Sequence, residues 1–398
     1  LVIVIAVIAI LSAVLIPTFS SLIKKANMSA DQQAVKELNN GLIIGSIEKD
    51  PQTIDEVANA LNEAGYNSFE VLSPISKGYN FYWLKNTNQI VLVEVETNEI
   101  KFAVKGDEVD FAAELASGNA FNLKRVAGSI EVDSLESFRE AISKGQSVTI
   151  TEDFDLSEKF MTIDEGEDVV LQLNDNAVIT IGYSDKPNNK HHYATYNYGI
   201  LTIQGNGTIE SRGLSNYGKI IIEDGITVKS IDDNGGAAIW NYENGEVIIN
   251  GGNFEATSGD FANDSNSVIP EPGVINNSGK ITINGGTFTA LETGCYAINN
   301  YGDLTINDGT FTAWRGVVSA VDSNVVINGG TFCKTSTENS GQVFYVEGDS
   351  ASIEINDATI IVESTTYELK AESFVGSVFA GNLDSTNAPK FILKQSNN

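Results

Sequence analysis

Few residues in this chain have the type and spacing that chemistry demands. Asp232 and Asp233, in the segment DDNGG, are the one adjacent aspartate pair of the repetitive region. His191 and His192, in KPNNKHHY, are the only histidines. Cleavage of a glycosidic bond needs two carboxylates at catalytic spacing, or a carboxylate cluster with a basic partner. A metal-binding or general-base histidine needs further ligands or an orienting partner. Neither motif brings such neighbours with it, so both read as solvated loops. Arg315, after Trp314, is isolated and reads as a surface residue. No EF-hand-like acidic loop is present, so no cofactor is expected beyond weak calcium binding by scattered carboxylates.

Aromatic residues give a clearer pattern. Tyr198, Tyr217 and Tyr301 occupy one repeat position, directly before a glycine, and Trp240 and Tyr242 lie close to it. Facing outward, these five residues would form a stripe able to stack on sugar rings. The same spacing fits a structural tyrosine ladder that covers backbone at a corner, and that is the default reading.

Both readings depend on the repeat that positions the aromatics. The unit runs roughly A-I-x-N-x-G-x-[IV]-x-I-x-G-G-[TN]-F-x-A, clearest in VINNSGKITINGGTFTA (Val274 to Ala290) and AINNYGDLTINDGTFTA (Ala297 to Ala313). Further copies cover 197–211, 216–230, 238–256 and 318–334. Its glycine recurs at Gly207, Gly225, Gly252, Gly286, Gly309 and Gly330, at spacings of 18, 27, 34, 23 and 21 residues. A short coil with loops of variable length explains that spread. Ile281, Ile283, Phe288 and Ala290 alternate with Thr282 and Thr289, giving one buried and one solvated face. Coils stacked ~4.8 Å apart would align Phe254, Phe288, Phe311 and Phe332 inside. Asn197, Asn216, Asn277 and Asn300, each two residues before a glycine, would form an asparagine ladder at a turn. Asp322 and Asn324 stand in for Asn and Gly in the following copy. The pattern over roughly 146–365 resembles the right-handed parallel β-helix of bacterial surface proteins and polysaccharide-active enzymes, which implies architecture rather than activity.

Ahead of the repeats, Asp133 to Lys144 reads as an amphipathic helix with Leu135, Phe138, Ala141 and Ile142 inward, ended by Gly145. It leads into Val148-Thr-Ile150 and is expected to cap the open end of the solenoid. Residues 106–130 read as a connector. Thr53-Ile-Asp-Glu56 is a capping box that opens a helix closed by Gly65. Tyr79 to Leu84 and Gln89 to Glu94 form a hairpin around Lys85 to Asn88.

The first residues, LVIVIAVIAILSAVLIP, hold sixteen uncharged positions before Pro17, of which only Ser12 is polar. Alone the run falls short of the ~20 residues that span a bilayer. Beyond Pro17, Leu22, Ala26, Ala34, Leu38 and Leu42 share one face, with Lys24, Lys25, Asp31 and Lys36 elsewhere. The order AVLIPTFSSLIKKAN, Ala13 to Asn27, resembles the N-terminal helix of Gram-positive type IV pilins and pseudopilins. That resemblance implies a membrane anchor or filament core packed through Leu1, Val4, Ile8, Leu11, Leu15 and Pro17. Prepilins carry a leader and a Phe-Thr-Leu-Val/Ile-Glu stretch before the residue that matches Leu1, so the chain is expected to be a truncated record. Its N-terminal Phe and filament-registering Glu correspond to no residue here. The segment lacks the basic flank and A-x-A site of an intact signal peptide.

The expected organisation is a pilin-like helix (1–45), a small α+β head (46–105), a connector (106–130) and an all-β right-handed parallel β-helix (131–398). With 53 acidic against 24 basic residues, a net charge of −29, the 398-residue chain should repel nucleic acid and anionic headgroups. Cys295 and Cys333 align to different points of the coil and read as free thiols. The function expected is a non-catalytic, pilin-like surface protein of a bacterium, membrane-anchored or incorporated in a filament as a minor or tip subunit, that displays the β-helix as an adhesive or structural module. Its expected partners are the membrane, other pilin-like subunits, and an extracellular glycan or host surface. The alternative is a surface-displayed polysaccharide lyase or glycosidase.

Overall fold

A computed structural model describes residues 2–46, 50–106, 109–132, 134–156, 161–174, 176–181, 195–211, 213–230, 236–256, 273–290, 296–314, 316–335, 342–348, 351–363, 365–367, 379–381 and 390–393. Side chains are described from Ser21 to Glu363, apart from residues 116, 154 and 156 and those outside these ranges. The chain divides into two compact units, Leu1–Gly128 and Ser129–Asn398.

In the first unit, helix α1 (Val2–Gly45) continues through Pro17. Leu1, and the side chains of Val4, Ile8, Leu11, Leu15 and Pro17, lie outside the described residues. Every side chain from Ser21 to Ala26 is exposed, Leu22 at 56% and Ile23 at 59%. The face that packs on the head is instead Asp31, Val35, Leu38, Asn39 and Leu42. Leu22 and Ala26 therefore do not continue the packed stripe. Asp31 was expected on the polar side, yet it is buried because its carboxylate accepts the N–H groups of Ile75 (2.7 Å) and Ser76 (3.0 Å). Asn39 donates to the Ile90 carbonyl (2.7 Å) and accepts the Ile90 N–H (2.9 Å), fastening α1 to a strand.

Helix α2 (Ile54–Glu63) starts as its sequence requires: the Thr53 side chain accepts the Glu56 N–H at 3.2 Å. The Glu56 carboxylate returns to the Gln52 N–H, one residue earlier than a standard capping box. Gly65, at φ +87°, then donates to the Asn62 carbonyl while Tyr66 donates to that of Leu61, a Schellman ending. Strands β1 (Tyr79–Leu84) and β2 (Gln89–Glu94) form the expected hairpin, with Tyr79 opposite Glu94 and Leu84 opposite Gln89.

Residues 106–130 are more than a connector. They supply helix α3 (Phe111–Ala116), strand β4 (Ala120–Asn122), which pairs with β1 as β3 (Glu99–Ala103) pairs with β2, and a 3-10 helix (Leu123–Ala127). Phe111 packs with Tyr82, Leu84, Val91 and Val93 on one face of the sheet, whereas Phe81, Trp83, Ile90 and Leu92 join α1 and α2 on the other. The near-continuous apolar runs YNFYWL and QIVLVE follow from that double cover.

The second unit is a parallel β-helix. Three sheets of 11, 10 and 9 strands each gain one strand per coil, in chain order, and nearly all their pairings are parallel. Such stacking is consistent with the right-handed form. Helix α4 (Leu135–Ser143), N-capped by Ser134, sends Phe138, Ala141 and Ile142 into the same core as Val148, Ile150, Met161 and Ile163 of the first coil. Phe254, Phe288, Phe311 and Phe332 stack inside at 4.7, 4.7 and 5.0 Å, with their ring planes nearly parallel.

The corner glycines serve two purposes. Gly225, Gly252, Gly286, Gly309 and Gly330 hold positive φ, for example +110° at Gly286. In the first copy that role passes from Gly207 to Gly205, at φ +106°. The glycine of the Asn-x-Gly corner is needed for space: a Cβ on Gly279 would stand 2.3 Å from the carbonyl oxygens of Tyr242 and Gly245 in the coil before.

Candidate functional site

The third-to-first-sheet corner carries the aromatics, and an asparagine ladder fixes it. Each amide nitrogen donates to the amide oxygen of the next coil: Asn197 to Asn216 (2.8 Å), Asn216 to Asn241 (2.8 Å), Asn241 to Asn277 (2.7 Å) and Asn277 to Asn300 (2.6 Å). Asn241 is a rung that the repeat pattern hides, because its loop places the glycine four residues on at Gly245, not two. Asn300 ends the ladder on Ser323 Oγ (2.9 Å), so Asp322 does not take the next rung. Asp322 instead turns the chain at φ +46°. All five asparagines are buried, and their amide nitrogens also donate to backbone carbonyls.

A second, exposed ladder lies between the first and second sheets, where Asn284, Asn307, Asn328 and Asn356 each donate to the asparagine of the coil before, at 2.7 to 2.9 Å, starting from Asn250. The recurring Asn of N-G-G and N-D-G was its signal.

One residue beyond each buried rung, the backbone N–H groups of Tyr217, Tyr242, Ser278 and Tyr301 donate to the carbonyls of Asn197, Asn216, Asn241 and Asn277. These residues, with Tyr198, therefore occupy equivalent places. Tyr198 and Tyr217 stack at 5.1 Å and Tyr217 and Tyr242 at 4.3 Å, with planes 16° and 3° apart. Tyr217 thus has an aromatic ring against each face. In the next coil Ser278, exposed, replaces the aromatic, and Tyr301, 38% exposed, resumes the file. Trp240 is not in this file. It lies on the third sheet, in register with Ser215 and Asn276.

Beside the corner, Glu246 lies between Lys219 (3.1 Å) and Lys280 (3.3 Å). Burial pushes the Glu246 carboxyl up, but hydrogen bonds and charge from the two lysines outweigh it, leaving the pKa below its usual value. The folded pKa is thus depressed, so the ion pairs stabilise the fold above pH 4.5 and lose that contribution as pH falls below it. Since these side chains are a third or more exposed, Glu246→Gln should cost under about 1 kcal/mol at neutral pH. Urea titrations should show that loss vanish at high salt and at acid pH.

Further along, Lys334 replaces the inward alanine seen at Ala256, Ala290 and Ala313. Burial pulls its ammonium pKa down, opposed by the Glu363 carboxylate. Cys333 is a free thiol whose pKa burial pushes up. Cys295, His191, His192, Asp232, Asp233 and Arg315 lie outside the described residues. Among the described residues no three His, Cys, Asp or Glu side chains group to hold a metal ion, and no helix is long and apolar enough to cross a membrane. Compared with known protein families, curated proteins and solved structures, the chain matches none.

Proposed function

We propose that this is a non-catalytic protein of a bacterial cell surface, held by its N-terminal helix in lipid or among the helices of neighbouring subunits. The β-helix is the displayed module, adhesive or structural, and its bulk suits a minor or tip position in a filament. One observation carries this reading. Helix α1 has 44 residues, about 66 Å of rise, yet among its described side chains those from Ser21 to Ala26 are all exposed, with Leu22 and Ile23 in solvent. Apolar helix surface that its own domain does not cover is a surface for something else. The pilin-like order of Ala13 to Asn27 points to lipid or a helical bundle as that cover.

Expressed in bacteria, the full chain should partition with membranes or with sedimenting filaments. Leu11→Lys, which puts an ammonium into the apolar run, should lower that fraction by at least about tenfold. A wild-type chain that stays monomeric in aqueous buffer without detergent would defeat this proposal. Turnover of uronic-acid polymers by the full chain would favour the lyase alternative.

A further inference from the structure

We infer that the corner between the first and second sheets, with the threonine file beside it, binds a straight, neutral polysaccharide. Its pyranose rings are equatorially linked, and the chain lies along the solenoid axis with one sugar per coil. The inference deepens the displayed-module reading and rests on it. The exposed asparagine ladder runs along this corner from Asn250 to Asn356, and Asn250 donates in turn to the Glu223 carboxylate at 3.0 Å. Asn284, Asn307 and Asn328 each use one N–H and one oxygen lone pair on their two neighbours. One of each is left to face solvent or a ligand. Because the ladder already fixes these amides, a ligand loses little affinity in ordering them. Stability does not account for the arrangement, since exposed amides exchange such bonds with water almost evenly.

Three residues further along each coil stands a second file. Thr287, Thr310, Thr331 and Thr359 are in register on adjacent strands of the second sheet, each directly before a buried core residue. Among the described residues none of these four hydroxyls has a hydrogen-bond partner. The next outward positions are Thr289, Thr312, Cys333 and Ile361, so this part of the sheet face carries no charge. The three coils before it hold Glu210, Lys229 and Glu255 at the same position. In a chain of net charge −29, an uncharged strip lined by fixed amides and free hydroxyls suits a neutral polyol.

Period selects among neutral polyols. The rungs repeat at ~4.8 Å along the axis. The C1-to-O4 span of an equatorially linked pyranose is close to that step, so a β-1,4-linked chain sets one ring against each coil. Axial linkages make a chain curl, and it leaves the files after a few sugars. Ring-edge hydroxyls both donate to and accept from the amides and threonines. Asp308 and Asp357, exposed on the corner two coils apart, add an acceptor at every second sugar. Successive rings of a β-1,4 chain alternate in orientation, which gives it the same two-unit repeat. The two carboxylates also turn away acidic polymers.

The test is a saturation-transfer NMR titration of the full chain, in micelles of a detergent without a sugar headgroup, with cellohexaose as the probe. Maltohexaose, the same six glucoses joined by axial linkages, should bind at least about tenfold more weakly. Cellobiose reaches only two rungs and should fall by about the same factor. Thr287→Val, Thr310→Val and Thr331→Val combined keep the β-branched shape and remove three hydroxyls, so cellohexaose binding should weaken at least about tenfold. Asn307→Ala, at the middle rung, should weaken it about fivefold. Thr208→Val, in the same file two coils before Asn253, should leave it within about twofold and controls for the substitution itself. Equal binding of cellohexaose and maltohexaose, or wild-type affinity in the triple variant, would overturn the site. So would the absence of transfer to cellohexaose, the result expected of a face that docks a second copy of this chain. If transfer is absent while the chain still partitions with membranes, only the site falls and the anchored reading stands. Transfer to a chain that stays monomeric in aqueous buffer would support the site and defeat the anchor.

Discussion

Phe288→Ala should destabilise the solenoid by about 3–5 kcal/mol, the usual cost of emptying a buried phenylalanine site. The ring is fully buried between Phe254 and Phe311, at 4.7 Å from each. Its removal loses transfer energy and two stacking contacts together. Collapse of the void is restricted, because the strands above and below are locked in parallel register from Thr287 to Ala290. Phe288→Leu keeps most of the apolar volume and should cost about 1.5 kcal/mol. In a stack where each coil touches mainly its neighbours, such a loss also uncouples the two sides. Urea unfolding of Phe288→Ala should therefore split into two transitions, and amide exchange should quicken most in the coils of Phe254, Phe288 and Phe311. A single transition shifted by less than about 1 kcal/mol would show that the stack is not what holds these coils together.

Much of this architecture was legible because repetition turns one weak signal into many copies. Ile281, Ile283, Phe288 and Ala290 would by themselves be a short alternating run; four aligned copies fix strand, face and ladder together. The hairpin of Tyr79 to Glu94 was legible for a local reason, since its turn lies between two strongly strand-forming segments. Burial that depends on distant partners was not. Asp31 looked like a surface charge until the backbone of Ile75 and Ser76 came to it from 44 and 45 residues away. Helix α3 left little mark in 106–130, since six residues are too few to show a helical period. The clue lay elsewhere: β1 and β2 are apolar on both faces, and a sheet of that kind needs a second cover.

At the corner, the sequence displayed the tyrosines but not their mutual geometry. Equal repeat positions predict alignment. Whether aligned rings stack on each other or open toward solvent depends on side-chain angles that spacing does not encode. Asn241 was hidden for a different reason, because an insertion moved its glycine while leaving the rung in line.

The buried asparagine ladder sets how firmly that corner is held, and Asn277 is its most informative member. It accepts from Asn241 and donates to Asn300 and to the Asp303 carbonyl, with no exposure to solvent. Asn277→Ala would leave Asn300 Oδ1 and the Gly279 N–H, which Asn277 Oδ1 accepts at 3.1 Å, in want of partners inside the protein. At about 1–3 kcal/mol for each stranded group, the expected loss is about 2–4 kcal/mol. Asn307→Ala, in the exposed ladder, should cost under about 1 kcal/mol, because water replaces the missing amide. Asn277→Asp separates hydrogen bonding from packing, since the two side chains have nearly the same size. An ionised carboxylate still accepts from Asn241 but cannot donate to Asn300, so one of its oxygens would face Asn300 Oδ1, acceptor against acceptor. Protonation restores the donor. Burial and the missing donor raise the folded pKa of this carboxyl above its unfolded value of about 3.9, so the variant should gain stability relative to wild type as pH falls toward that value. Urea midpoints at neutral and acid pH would measure this, and an equal deficit at both would mean that shape rather than proton donation matters at the rung.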